Sequence, residues 1–336
     1  MAFVSGFSPP QFSRPLFCSI LANTRLSTLP GISGAGPTPE KTLLTPILDA
    51  ELIMQGKITS MPVKPNTPTG CQTPASFTRA MMELTRLRPL FINAGLAQDP
   101  TVPCLDVYGC VGDDPRERDA VSGADALYRR GRWIGKFLSE SCDLLVLGEC
   151  VPGGTTTALC ILRALGYSAS VSSSFVKNPV SKKEEICDAV IKRIKSRGIT
   201  EPMEIIRATG DPMMPVACGI TNSYSGTLIL AGGTQMLSIA ALVRAMGDRM
   251  PMIATTSFVR DDPSANVREL ADLIGVKIVY VDPGFQDLGH SGLARYCIGE
   301  VKEGMGAGGA MLLAYMMGQS PEAIRAKIYE TVSAYT

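Results

Sequence analysis

Two glutamates in this chain stand beside glycine-rich turns, where a carboxylate can exchange a proton or balance a positive charge next to a bound anion. Glu149 lies in GECVPGGTTTALC (148–160), and Glu303 precedes the small residues of VKEGMGAGGAMLLAYMM (301–317). An apolar stretch ends at Leu147 just before the first run, in which the two adjacent glycines are followed by three threonines that open a helical pattern. Gly153 and Gly154 let the backbone approach a ligand closely, and Thr155 and Thr156 offer N–H and hydroxyl donors at a helix start, which suits a single phosphate. A tight strand-to-helix turn capped by threonine accounts for the same residues. The spacing imitates the phosphate loop GxxxxGK[ST], but Gly154 occupies the lysine position, which argues against a triphosphate.

A second turn of the same form is AGGTQM (231–236), with Gly232 and Gly233. Two such turns in one sheet favour a mononucleotide over either turn alone. The run SSSF…NPVSKKEE adds hydroxyls and lysines before another helix, and Lys182, or its neighbour Lys183, is a candidate point charge for a phosphate. A solvated surface role fits those lysines equally. Glu303 suits the dipole of the helix it precedes. The glycines after it would let a flat ligand lie against the chain, with the carboxylate at its edge, or would let the helix pack closely on another backbone.

These turns need elements to hold them. Apolar runs bounded by glycine or proline recur at 15–22, 89–95, 143–149, 226–233, 250–258 and 276–283. Several are apolar at consecutive positions, as expected of strands buried on both faces of a parallel sheet. Helical patterns such as ALYRRGRWIGKFLSES, TTTALCILRALG and TQMLSIAALVRAMG lie between them. The fold predicted is α/β, a doubly wound and mostly parallel sheet with helices on both faces, plus a small subdomain built from N- and C-terminal segments. The division expected is 1–80 for an N-terminal strand and proline-rich wrap, 81–318 for a Rossmann-like nucleotide-binding domain, and 319–336 for a C-terminal helix packing on the small subdomain. The serine-rich 168–175 is a further candidate strand, and TPILDAELIM is a short helix within the wrap.

Composition narrows the class. With 32 Lys and Arg against 31 Asp and Glu there is no electrostatic case for nucleic acid or an anionic membrane. Ten cysteines form no Cys-x-x-Cys pair and the only histidine is His290, so neither a metal nor a cofactor is called for. The thiols read as reduced, no run approaches the roughly 20 apolar residues of a membrane span, and the N-terminus lacks the pattern of a signal peptide. A cytoplasmic protein is expected. His290, Trp133, Met311, Met316 and Met317 read as structural.

The two glycine segments also carry a family resemblance. GECVPGGTTTA resembles the GEMGIGNTTTA segment of nicotinate-nucleotide–dimethylbenzimidazole phosphoribosyltransferases, and KEGMGAGGAMLL resembles their GEGTGAALAL segment. Between them, GGTQMLSIAALVRAMGDRMPMIATTSF is similar to a third family region, in the same order and at similar spacing from Gly148 to Leu313. The N-terminal LSTLPGISGAG…TPEKTLLTPILDAELI looks instead like an archaeal and cyanobacterial branch of this superfamily. The resemblance implies transfer of the 5-phosphoribosyl group of nicotinate mononucleotide to an aromatic base, among the candidates a cobamide lower-ligand base such as dimethylbenzimidazole. It makes Glu303 the general base and Glu149 a second acid near the reacting centre. It assigns the phosphate to Gly153, Gly154, Thr155 and Thr156, with Gly232 and Gly233 nearby and Lys182 as the phosphate lysine. It also implies a homodimer. Where the family has asparagine after the first glycine, this chain has Gly154, and the family's base-pocket motif is not visible in the N-terminal third.

Overall fold

Side chains of the central strands alternate between two separate cores, which is why those strands read as unbroken apolar runs. On β1 (Pro15–Ala22), Phe17 and Leu21 enter one core while Cys18, Ile20 and Ala22 enter the other. On β4 (Leu144–Cys150), Leu144 and Val146 face the first and Leu145 and Leu147 the second. Such double-sided burial needs helices on both faces. The computed structural model, which describes residues 2–5, 7–36 and 38–335, has them. The remaining strands are β2 (Leu90–Gly95), β3 (Leu105–Asp106), β5 (Thr227–Ala231), β6 (Met252–Thr256) and β7 (Ile278–Val281). All pair in parallel, in the order β3-β2-β1-β4-β5-β6-β7.

One face carries helices Thr45–Gln55, Ala75–Thr85, Ala307–Met316 and Pro321–Ser333. The other carries Ala124–Ser141, Gly154–Ala164, Val180–Ser196, Met213–Ser223 and Thr234–Ala245. The N-terminal strand β1 lies in the middle of the sheet, between β2 and β4. The C-terminal helix Pro321–Ser333 packs on Ala75–Thr85. Helix Ala307–Met316 rests almost directly on the sheet, because a Cβ at Gly309 would lie 2.2 Å from the Cβ of Ala231.

Several elements differ from the sequence reading. The serine-rich 168–175 forms no strand: it is an irregular segment whose backbone carbonyls are taken up by buried lysines. Its alternation of small polar residues imitates a half-buried strand without the β-branched content to support one. Strand β3 is two exposed residues, too short to leave a periodic signal. Helix Met213–Ser223 is buried on nearly every side, so it shows no amphipathic period either. Most cysteines are buried as thiols and none is bridged. Among the described residues no helix is long and apolar enough to cross a membrane.

Candidate functional site

From β1 the chain moves outward to β2 and β3, then returns to β4 on the other side of β1. In open parallel sheets such a reversal leaves a crevice outside the carboxyl ends of the two strands. A cavity of about 440 Å³ lies there, within the range of small-molecule sites. Its wall is drawn from the end of β4, the turn after β5, residues 301–304, the serine segment 172–174 and parts of 32–74.

Both glutamates reach this cavity. Glu149 is the penultimate residue of β4, in register with Ile20 on β1, and is only 3% exposed. The Val151 N–H donates to its Oε2 at 3.1 Å. Burial, followed by the nearby Asp211 and Glu303 carboxylates, pushes Glu149 up to about 8, against the opposing hydrogen bonds from Val151 and Gln235. Glu303 opens toward the cavity from deep among protein atoms. Its Oε2 accepts from Thr255 Oγ1 (3.0 Å) and the Thr256 N–H (3.1 Å), and its Oε1 from the N–H groups of Gly304 (3.2 Å) and Gly308 (3.1 Å). Burial outweighs these four donors and raises the carboxyl to about 7. Glu303 therefore caps the helix Ala307–Met316 and faces the cavity at once, while the glycines behind it allow close packing on the sheet.

The glycine turns give each glutamate its room. Gly153 sits at φ +81 with the Ser27 backbone 3.1 Å from where a Cβ would be, so both the turn and the contact require glycine. At Gly154 a Cβ would fall 1.5 Å from Gln235 Oε1. The Gln235 side chain thus lies over the start of helix Gly154–Ala164. A Cβ at Gly232 would come 3.5 Å from Glu149 Oε1, and one at Gly233 would come 3.9 Å from the Glu303 Cβ. The turn after β5 is wedged between the two acids.

Gly153, Gly154, Thr155 and Gly233 line the cavity with Glu149 and Glu303. Thr156 is fully buried, with no partner for its hydroxyl among the described residues, and Gly232 lies behind the wall against Met236. Lys182 stands outside the lining, where its ammonium donates to the Pro30 carbonyl and so tethers the loop that carries Ile32 to Gly36 along the rim. Lys183 is 1% exposed, and its Nζ donates to the Ser172 carbonyl at 2.7 Å. Burial, then the charge of Lys302, lowers it to about 7.

Sequence reasoning missed four participants. Lys302 lines the cavity next to Glu303, and its Nζ donates to the carbonyls of Ser173 (2.8 Å), Gly299 (2.9 Å) and Phe175 (3.3 Å), with Asp262 Oδ2 at 3.4 Å. Its place directly before Glu303 was the available signal. Gln235 was legible only as the residue after the second glycine turn. Asp211 is buried with its Oδ2 2.7 Å from Thr157 Oγ1, and burial raises it to about 6. Asp49, in helix Thr45–Gln55, is a buried wall residue raised by burial to about 7. The result is a site with buried acids along one stretch of wall and a lysine-held serine segment along another. A cation and an anion carried by one small molecule would suit that polarity.

No protein-family model matches the sequence. Full-length relatives do. A UPF0284 protein of Methanosarcina acetivorans is 41% identical over 341 residues, covering 98% of this chain and 97% of that protein. A UPF0284 protein of Thermococcus onnurineus is 43% identical over 323 residues, covering 94% and 96%. Among solved structures, the nicotinate-nucleotide–dimethylbenzimidazole phosphoribosyltransferase of Thermus thermophilus superposes with a TM-score of 0.61 at 17% identity, over 96% of this chain and 84% of that one. A CobT structure from the same organism gives 0.61 at 15% identity, over 96% and 85%. At such identities the structural likeness is one of fold, the doubly wound α/β architecture expected from the strand runs. The extent and identity of the sequence matches carry the family assignment: the chain belongs to the UPF0284 family.

Proposed function

We propose that this protein is a phosphoribosyltransferase that moves the 5-phosphoribosyl group of nicotinate mononucleotide to an aromatic nitrogen base. The observation that carries the reading is the convergence of Glu149, Glu303 and both glycine turns on one cavity at the sheet's crossover. The phosphate is assigned to the Gly153–Thr155 turn and the Ser173–Ser174 backbone, with Lys302 supplying positive potential nearby. The pyridinium ring and C1′ then lie toward the acids. The C1′–N bond to nicotinate breaks with its electron pair going to the nicotinate nitrogen, and a ring nitrogen of the acceptor bonds to C1′. The proton on the acceptor's other nitrogen passes to Glu303, whose carboxyl near 7 is half ionised at neutral pH and so suits a general base. Glu149 by itself holds a proton at neutral pH; a cationic ring beside it would favour its ionised form, which then stabilises positive charge developing at C1′. Holding both substrates in one enclosed space supplies the proximity term. A cytoplasmic homodimer belongs to the same reading, and light scattering tests the dimer.

The test is nicotinate release from nicotinate mononucleotide, with and without a panel of benzimidazoles, purines and phenols, followed by chromatography. Release only in the presence of an acceptor is the expected result. Release without one would make the protein a nucleotide N-glycosidase, with Glu303 activating water, and no release under any condition would refute catalysis on this nucleotide.

A further inference from the structure

The segment that carried no readable chemistry in the sequence supplies a large part of the cavity wall. Leu48, Ile58, Met61 and Val63 line it with apolar surface. Among them stands one carboxylate, Asp49, which is 8% exposed. Its Oδ1 accepts from Thr73 Oγ1 at 3.0 Å, and among the described residues its Oδ2 has only the thiol of Cys150, 3.8 Å away. A carboxylate has room for about four donors, and a buried one left short of them costs free energy unless a partner arrives. No cation is paired with it among the described residues. Its position is tied to the reacting end of the site. Thr73 precedes Pro74, whose Cγ would lie 3.2 Å from a Cβ on Gly304, the residue after Glu303. Cys150 follows Glu149 directly.

We propose that Asp49 selects the acceptor: the base that enters this cavity is a flat heteroaromatic ring bearing an amino or N–H donor on the edge that meets the Asp49 carboxylate. The apolar side chains around Asp49 cover the ring faces, and Glu303 receives the proton of the reacting ring. The inference rests on the reading that the cavity holds an acceptor base, and it narrows that acceptor to a ring with a donor on the edge that faces Asp49. A site built around an under-satisfied acceptor group discriminates strongly against a ligand that cannot satisfy it.

Isosteric ligands isolate the effect. Aminobenzimidazole isomers and the matching methylbenzimidazole isomers differ little in shape and differ fully in donor capacity. Binding of each to the full-length protein is measured by calorimetry, with and without saturating nicotinate mononucleotide. The wild type is expected to prefer the amino member of at least one isomer pair by roughly ten- to a hundredfold. Asp49→Asn keeps an oxygen for Thr73 and turns an N–H₂ toward the ligand, so it should abolish that preference with circular dichroism unchanged. Equal affinity within every pair overturns the inference, as does a preference that survives in Asp49→Asn, and so does failure of every base to bind. Nicotinate release read on the same samples separates the two claims. Release without an amino preference removes Asp49 recognition and keeps transfer; an amino preference without release does the reverse.

Discussion

Replacing Glu149 with glutamine should stabilise the protein, and should do so only as the pH rises. The carboxyl titrates at about 8 in the fold against an ordinary value of 4.5. Between those values the folded state holds a proton that the unfolded state has released, so wild-type stability falls with increasing pH. At ~1.36 kcal/mol for each pH unit, the loss reaches a ceiling of ~5 kcal/mol above pH 8. Glutamine carries no charge to bury. Its oxygen can still accept from the Val151 N–H, and its amide can donate to Gln235 Oε1, which is buried without a partner among the described residues. The advantage of Glu149→Gln should therefore grow between pH 5.5 and 7.5 by ~1–2.5 kcal/mol, less than the full slope of ~2.7 kcal/mol because the folded protein begins to release the proton as the pH nears 8. Urea unfolding of both proteins at the two pH values measures this, with equal m-values as the check that the unfolded states match. A stability difference that stays constant across that range would show that Glu149 ionises like a solvated carboxyl, and the argument from burial would fail.

Three further outcomes are expected. Glu303→Gln should slow nicotinate release by at least ~100-fold; the wild-type rate should climb with pH through about 7 as Glu303 loses its proton, and the variant's rate should be flat. Gly309→Ala, whose Cβ would meet the Ala231 Cβ at 2.2 Å, should lower the unfolding free energy by ~1–3 kcal/mol through overpacking, read as an earlier denaturant midpoint. Lys302→Met would strand Asp262, 7% exposed, and should cost ~3–5 kcal/mol; adding Asp262→Asn should restore part of that loss in the same unfolding assay.

The sheet was legible because burial on both faces removes polar residues from a strand. Phe17 to Ala22 and Leu144 to Leu147 must each serve two cores, and no surface period interrupts them. The glycines were legible for a related reason: Gly153 at φ +81 and Gly309 against Ala231 are positions that hardly admit another residue. Lysine roles were opaque. Lys182 and Lys183 are neighbours in sequence, yet one tethers a rim loop and the other is buried under the serine segment, a division set by helical phase and packing. Asp49 was hidden because an acid within LLTPILDAELIM looks like the polar face of a surface helix. Only the return of the 57–74 segment over that helix, fixed in part by Thr73, encloses it.

Four carboxyls raised by burial stand on four separate pieces of chain. Asp49 is in an N-terminal helix, Glu149 at the end of β4, Asp211 before helix Met213–Ser223, and Glu303 before helix Ala307–Met316. No local requirement brings them together: a helix start is satisfied by an exposed acid, and a strand end by an apolar side chain. Only the fold gathers them, and their burial costs stability at neutral pH by opposing ionisation; at Glu149 repulsion from Asp211 and Glu303 adds to that cost. A fold selected for stability alone would place leucine or glutamine at position 149 and keep the turn. Retaining an acid there makes sense where a cation arrives to offset its charge. The pyridinium nucleotide proposed as substrate would be such a cation, and as its glycosidic bond broke the charge would move toward C1′, within the same acidic enclosure.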